Sequence, residues 1–175
     1  MSFSWGELLT LVRVVRPGDA DRGATVPDGV HVRRVEPSDV GAIGRLYFAA
    51  YPRGVPGDSL EEAVSDITAS FAGEYGEPWP DACLVAHSAS GDLVGCVLTV
   101  ARAPWSDTPD CPFVIELFTA AEHRRRGIGR ALAQHVLAAA ARADASAVAL
   151  RVAVDNPAAR ALYAGLGFVP WTPAD

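Results

Sequence analysis

Hydrophobic positions along the chain recur with two periods, and the points where one gives way to the other predict the elements. Val30–Val35 is rich in β-branched residues and predicts a strand. Pro37-Ser38-Asp39 then opens a helix whose apolar positions Val40, Ile43, Leu46, Tyr47 and Ala50 fall at helical spacing. Ser59-Leu60-Glu61-Glu62 has the spacing of a capping box, and Leu60, Val64, Ile67 and Phe71 recur on one face of a second helix that ends at Gly73. Ala82–His87 and Leu93–Ala101 flank Ser88-Ala89-Ser90-Gly91-Asp92, the pattern of an antiparallel hairpin. After an irregular stretch from Pro104 to Pro112, Phe113–Thr119 is apolar except for Glu116, as a strand covered on both faces is. A long helix with Ile128, Leu132, Val136 and Ala140 on one side leads to the valine-rich strand Ala147–Val154, so this segment predicts a crossover unit. Asp155-Asn156-Pro157 stops that strand and starts a last helix, Pro157–Leu166, closed by Gly167, with room for a few residues of strand at Phe168–Trp171.

Ahead of this series, Leu8–Val15 reads as a strand, and Arg16–Gly29, rich in Gly, Pro and Asp, reads as a flexible connection. No internal repeat and no second globular domain are evident. The chain divides into residues 1–29, a strand plus connection, and residues 30–175, one α/β (α+β) domain with a mixed central sheet flanked by helices.

At 175 residues, half of them hydrophobic and 21% charged, the chain can bury a sizeable core. A net charge of −6 argues against nucleic-acid partners, because the basic residues are too few and too local to track a phosphate backbone. All 15 of the Lys+Arg residues are arginine, which excludes a P-loop lysine, a Schiff-base lysine and acylation of the chain's own lysines. No apolar run is long enough for a membrane span, and Met1–Glu7 lacks the basic start and apolar centre of a signal peptide, so a cytoplasmic protein with no membrane partner is expected. Cys83, Cys96 and Cys111 are widely spaced, and the histidines His31, His87, His123 and His135 are scattered singly; neither a disulfide framework nor a metal site is predicted.

The informative chemistry lies at Arg124-Arg125-Arg126-Gly127-Ile128-Gly129-Arg130. A helix N-terminus already carries about half a positive charge, so cations beside it are unfavourable by about 0.3–1 kcal/mol each unless an anion shares the place. The free N–H groups, made approachable by two glycines, suit a phosphate or pyrophosphate, and the arginines would neutralise the rest of its charge. Rival glycine motifs fit less well. Leu132 stands where the Rossmann fingerprint has Gly or Ala, and no lysine follows as in a P-loop.

Two blocks in this order resemble the GNAT superfamily of acyl-CoA-dependent N-acyltransferases: Arg124-x-x-Gly127-x-Gly129 after a buried strand, and Asn156-x-x-Ala159-x-x-x-Tyr163-x-x-x-Gly167-Phe168. The resemblance covers about Phe113 to Trp171; the strand and two helices from Val30 agree in layout. It implies that the strands near 113–119 and 147–154 splay in a V, with the pantetheine arm of acetyl-CoA bonded to backbone groups of Leu117, Phe118 and Thr119. It also implies a pyrophosphate on the N–H groups of Arg125, Arg126, Gly127, Ile128, Gly129 and Arg130, with arginine side chains, Arg124 among them, reaching the phosphates. Asn156 and Ala159 belong to the second cofactor block, although Asn156 is equally an N-cap before Pro157. Tyr163 matches the family's tyrosine near the thioester sulfur, where a phenol donates a proton to the departing thiolate; the alternative is a core tyrosine. Glu116, the one carboxylate in its strand, is the candidate base, unless alternation turns it to solvent.

The implied reaction is transfer of acetyl from acetyl-CoA to the primary amine of a small molecule or peptide, by direct attack in a ternary complex and without a metal. Asp58, Glu61, Glu62, Asp107 and Asp110 would suit a cationic acceptor. A catalytically inactive acyl-CoA-binding regulatory module and a nucleotide-dependent oxidoreductase are the alternatives. Members of the family usually continue past the Gly-Phe with another long strand, whereas only Val169–Asp175 remains here. Leu8–Val15 is therefore expected to complete the sheet edge, in the same subunit or across a homodimer.

Overall fold

Residues Leu8–Val14 (β1), His31–Arg34 (β2), Leu84–His87 (β3), Leu93–Val100 (β4), Phe113–Thr119 (β5), Ala147–Ala153 (β6) and Val169–Pro170 (β7) form one seven-stranded sheet in the order β2-β3-β4-β5-β6-β1-β7. The computed structural model describes residues 7–174; Met1–Gly6, on which most of the signal-peptide reading rests, and Asp175 lie outside the described residues. Helices Val40–Ala50 (α1), Leu60–Ala72 (α2), Ile128–Arg142 (α3) and Pro157–Gly165 (α4) complete the fold. Every strand pair is antiparallel except β5 with β6, the crossover predicted around α3.

The core centres on β4, buried from Val94 through Val100, as a strand covered on both faces must be. α3 approaches it closely because Gly95 has no Cβ: one placed there would stand 2.8 Å from Ile128 and 3.2 Å from Leu132. The face that α2 buries is rotated from the expected one. Ala63, Ile67 and Ser70 point inward and Leu60 is exposed, because α2 is set by Val64 crossing α1 at Gly44 rather than by the widest apolar stripe.

The N-terminal strand pairs with β6 in the same chain, from Leu8↔Ala153 to Val14↔Ala147. It is not the outermost strand, since the short β7 pairs beyond it at Leu11↔Pro170 and Val12↔Val169. The segment after β1 is a structured turn, where the composition of the sequence predicts a free tether. Arg13 and Asp19 form a bidentate pair at 2.5 and 2.8 Å, Asp19 also accepts the Arg16 N–H at 2.7 Å, and Pro17–Asp19 makes one 3-10 turn. The chain then crosses α3, where the Thr25 N–H donates to Gln134 Oε1 at 3.1 Å and Pro27 lies beside Gly127.

The same clip occurs again after β2. Arg33 grips Asp39 at 2.7 and 2.9 Å, Asp39 accepts the Glu36 N–H at 2.7 Å, and Pro37–Asp39 makes the same 3-10 turn. Arg13-x-Val15-x-Pro17-x-Asp19 and Arg33-x-Val35-x-Pro37-x-Asp39 are thus an internal repeat, which corrects the reading that none exists. It escapes notice because only the residues that make the clip recur.

Candidate active site

The site begins with one surplus residue in β5. Leu98 pairs with Glu116 and the next residue, Thr99, with Val114, so Ile115 has no partner on β4 and bulges. On its other side β5 pairs with β6 only at Phe113↔Ala149 and Val114↔Leu150, and beyond those pairs the strands part. This is the V-shaped split. The Ala120 N–H donates to Val94 O on β4 at 2.8 Å, so alternation turns the backbone groups of Leu117 and Thr119 toward the split and those of Phe118 toward β4. Phe118 itself packs in the core against Tyr47 and Tyr51, at centroid distances of 5.4 and 5.9 Å. A cavity of about 10 Å³ lies in the split, lined by Val114, Leu117, Val148, Leu150 and Tyr163 among others.

α3 starts at the mouth of the split with its N-terminus uncapped. Its N-cap, Gly127, sits at φ +88° and supplies no side-chain oxygen, and no acidic residue lies in the first turn. The N–H groups from Arg125 through Arg130 have no acceptor among the described residues. Two other helices are capped by side chains: Ser59 Oγ accepts from Glu62 N at 3.1 Å on α2, and Asn156 Oδ1 from Ala159 N at 3.0 Å on α4. α1 has no side-chain cap either, but its N-cap Asp39 is held in the Arg33 clip. Gly129 adds a second sign. A Cβ there would meet nothing nearer than Leu162 at 3.5 Å and Thr119 at 3.9 Å, so contacts within the chain do not require glycine, whereas a group seated on the N–H row would.

The arginines divide into two kinds. Arg124 is committed to the protein, donating to Ala50 O at 2.6 Å and Thr119 O at 3.3 Å, and so ties the end of α1 to the end of β5. Arg125, Arg126 and Arg130 are exposed and pair with no carboxylate among the described residues. The non-glycine Arg125 holds φ +62°, which helps turn consecutive N–H groups the same way. A ligand with diphosphate chemistry fits this row.

Glu116 faces inward at the split. Burial pushes its carboxyl up to about 8; the Tyr51 hydroxyl, donating to Oε2 at 3.0 Å, and Tyr47 partly oppose this, while the charge of Asp66 adds to it. Tyr47 donates to Asp66 Oδ2 at 3.0 Å and Tyr75 to Asp66 Oδ1 at 2.5 Å, so two carboxyl groups and three phenols form one connected group. Burial and the neighbouring Glu116 raise the phenols of Tyr51 and Tyr163 and keep them protonated. Tyr163 is 6% exposed, stacks edge-on against Phe168, and makes no hydrogen bond through its hydroxyl among the described residues.

The structure thus gathers Glu116, the Leu117 and Thr119 backbone and Tyr163 at the split, with the α3 N–H row beside it. Asn156 is placed as the α4 cap, and Ala159 is the residue whose N–H it accepts. From the sequence, Tyr47 has only a place on the apolar face of α1, Tyr51 starts an acceptor loop at Tyr51–Ser59, and Asp66 has no role; the signal for their part in the site is the pair of tyrosines one helical turn apart near the end of α1. The carboxylates assigned to a cationic acceptor are partly spoken for: Asp107 binds Arg151 at 2.6 Å, Asp110 binds Arg102 at 3.2 Å, and Glu62 accepts the Asp58 N–H at 2.7 Å. Among the described residues no helix is long and apolar enough to cross a membrane, and no group of three or more His, Cys, Asp or Glu is placed to hold a metal ion.

Comparison with known proteins gives the same architecture. The model of the acetyltransferase (GNAT) family matches residues 40–168. A mycothiol acetyltransferase of Clavibacter sepedonicus is 35% identical over 141 residues, covering 81% of this chain and 41% of that protein. The GCN5-related N-acetyltransferase of Sphaerobacter thermophilus superposes with a TM-score of 0.69 at 21% identity, over 94% of this chain and 48% of that one. A tandem GNAT protein from the clavulanic acid biosynthesis pathway gives 0.66 at 18% identity, over 96% and 54%. The chain spans about two-fifths of the curated relative and about half of each of these two structures.

Proposed function

This chain belongs to the acetyltransferase (GNAT) family, and from that premise we propose that it transfers an acetyl group from acetyl-CoA to the primary amine of a small molecule or peptide, in a ternary complex. The observation that carries the reading is the uncapped N–H row of α3, flanked by unpaired arginines and opening onto the split between β5 and β6. The N–H groups of Arg125 to Arg130 would hold the diphosphate, and the backbone of Leu117 and Thr119 would take the place of a sheet neighbour for the amide-bearing arm.

The thioester supplies the acetyl group when bound; the remaining work falls to the chain. An alkyl amine of pKa about 10 arrives protonated at neutral pH, so the site must remove a proton before the nitrogen can attack. Glu116, at about 8, is a stronger base than an ordinary carboxylate and takes that proton directly or through one water. Tyr163 keeps its own proton and has no acceptor for it among the described residues, which suits it to supply the departing thiolate. An acyl-cysteine route is disfavoured: Cys83, Cys96 and Cys111 are buried and burial raises each thiol, which suppresses the nucleophilic thiolate.

The test is incubation of the purified chain with acetyl-CoA and a pooled library of amines and peptides, with acetylated products read by mass spectrometry. A product that falls by about 10²-fold in Tyr163→Phe and Glu116→Gln is the expected result, within the usual range for positioned acid–base groups. Its rate should rise with pH through about 8 as Glu116 ionises, and that limb should flatten in Glu116→Gln. Absence of both product and acetyl-CoA binding would overturn the proposal.

A further inference from the structure

Outside the split, a cavity of about 130 Å³ lies between the turn after β1 and helices α3 and α4. Arg13, Asp19, Arg22, Arg130, Gln134 and Gly165 line most of it. Its polar groups are almost all donors. The one carboxylate, Asp19, is occupied: both oxygens take the Arg13 guanidinium, and Oδ2 also takes the Arg16 N–H. Gln134 spends its Oε1 on the Thr25 N–H, which leaves its amide NH₂ to face the cavity. Arg22 and Arg130 have no carboxylate within ion-pair distance among the described residues.

Taken together, Arg13 and Asp19 cancel, Arg22 and Arg130 have no carboxylate partner among the described residues, and the neutral Gln134 amide lines the same cavity. A cavity of this kind selects an acceptor-only ligand with about two negative charges, which is the charge of a phosphate monoester at neutral pH. Arg130 also fixes where the cavity lies. Its backbone N–H is the last of the free row at the start of α3, while its side chain reaches the Gly165 end of α4, with Nη2 2.9 Å from where a Cβ of that glycine would stand. Gly165 therefore leaves the guanidinium its place, and the cavity begins one side-chain length from the diphosphate row.

We propose that this cavity is a second anion subsite, formed by Arg22, Arg130 and Gln134, which binds a phosphate monoester and, in the complex with CoA, the cofactor's 3′-phosphate. The assignment deepens the acyl-CoA reading and rests on it. It also gives the segment that crosses α3 a function, because that segment carries Arg22 to the cavity and is pinned there through Thr25.

The experiment compares CoA and dephospho-CoA, which differ only in the 3′-phosphate, by titration calorimetry on the full chain at fixed ionic strength. CoA should bind about tenfold more tightly. Arg22→Ala and Arg130→Ala should each remove most of that preference, Arg22→Lys should restore part of it, and the thermal midpoint of Arg22→Ala should stay that of the parent. Equal affinities for the two ligands, unchanged in Arg22→Ala, would overturn the subsite and leave the cofactor reading standing; binding of neither ligand would overturn both. A third arm adds inorganic phosphate to dephospho-CoA. If phosphate enhances dephospho-CoA binding while CoA itself shows no preference, the cavity belongs to free phosphate and the cofactor assignment fails.

Discussion

The two edges of β6 are treated in opposite ways. Toward β1 it is paired along its length, from Ala147↔Val14 to Ala153↔Leu8; toward β5 it is paired only at Ala149 and Leu150 and then left open. Unpaired backbone groups in a sheet interior are costly, so a fold leaves such a row only where something else satisfies it. The closed edge is held by the buried Arg13–Asp19 clip, whose Arg13 Nε also reaches Leu166 O at 3.3 Å, whereas the open edge is bordered by Glu116, Tyr163 and the bare N-terminus of α3. One edge is built for stability and the other for occupancy.

The largest test of this contrast is to remove the closed edge. A chain lacking residues 1–15 should lose its cooperative unfolding transition by calorimetry, because β6 would then keep only its two pairs with β5, at Ala149 and Leu150. Next comes the clip itself. Asp19→Ala leaves Arg13, with 8% of its side chain exposed, as an uncompensated buried charge, and should cost about 3–5 kcal/mol in chemical denaturation. The copy after β2 has the same geometry, but Arg33 is 40% exposed, so Asp39→Ala should cost only about 1 kcal/mol. Equal losses would mean that burial does not separate the two clips. Burial raises the Asp19 carboxyl, but the Arg13 hydrogen bonds and the Arg16 N–H outweigh it; Asp39 is lowered mainly by Arg33. Both aspartates therefore stabilise the fold above their ordinary value of 3.8 and lose that contribution as pH falls through their depressed folded values. Acid unfolding below pH 4 should be shallower in either variant.

The effect expected on the open edge has the opposite sign. Glu116 is raised from 4.5 to about 8 in the folded state, so the stability linked to its proton is complete below 4.5 and is lost as pH rises toward 8. Glu116→Gln should therefore unfold at a higher temperature than the parent at pH 9, by about 2–4 °C for each kcal/mol recovered, while losing activity. A variant less stable at pH 9 would show that Tyr51 and Tyr47 hold the ionised carboxylate better than burial disfavours it.

The features legible in the sequence were those with local causes. The arginine-glycine turn, the Asn156 cap, the lone carboxylate of β5 and the periodicity of each element, β1 included, are written within a few residues. The Ile115 bulge, the rotation of α2 about Gly44 and the group formed by Tyr47, Tyr51, Asp66, Tyr75 and Glu116 depend on contacts between distant segments, and no single segment records them. The repeated clip was open to inspection, because its Arg, Val, Pro and Asp stand at identical offsets. It was hidden by the hydrophobic pattern around it, which differs between the two copies.

The position of β1 also has a consequence in time. Its partner along the whole closed edge is β6, so β1 is made long before it can be placed. At translation rates of about 5–20 residues per second, Leu8 waits on the order of ten seconds or more for Ala153 to be made. Throughout that interval the nascent chain carries an unpaired strand whose Leu9, Leu11 and Val12 are later covered, and β6 in turn emerges already short of a neighbour on one side. Pairing across so long a separation predicts slow final closure and a window in which this strand is a target for chaperones or for another chain's β6.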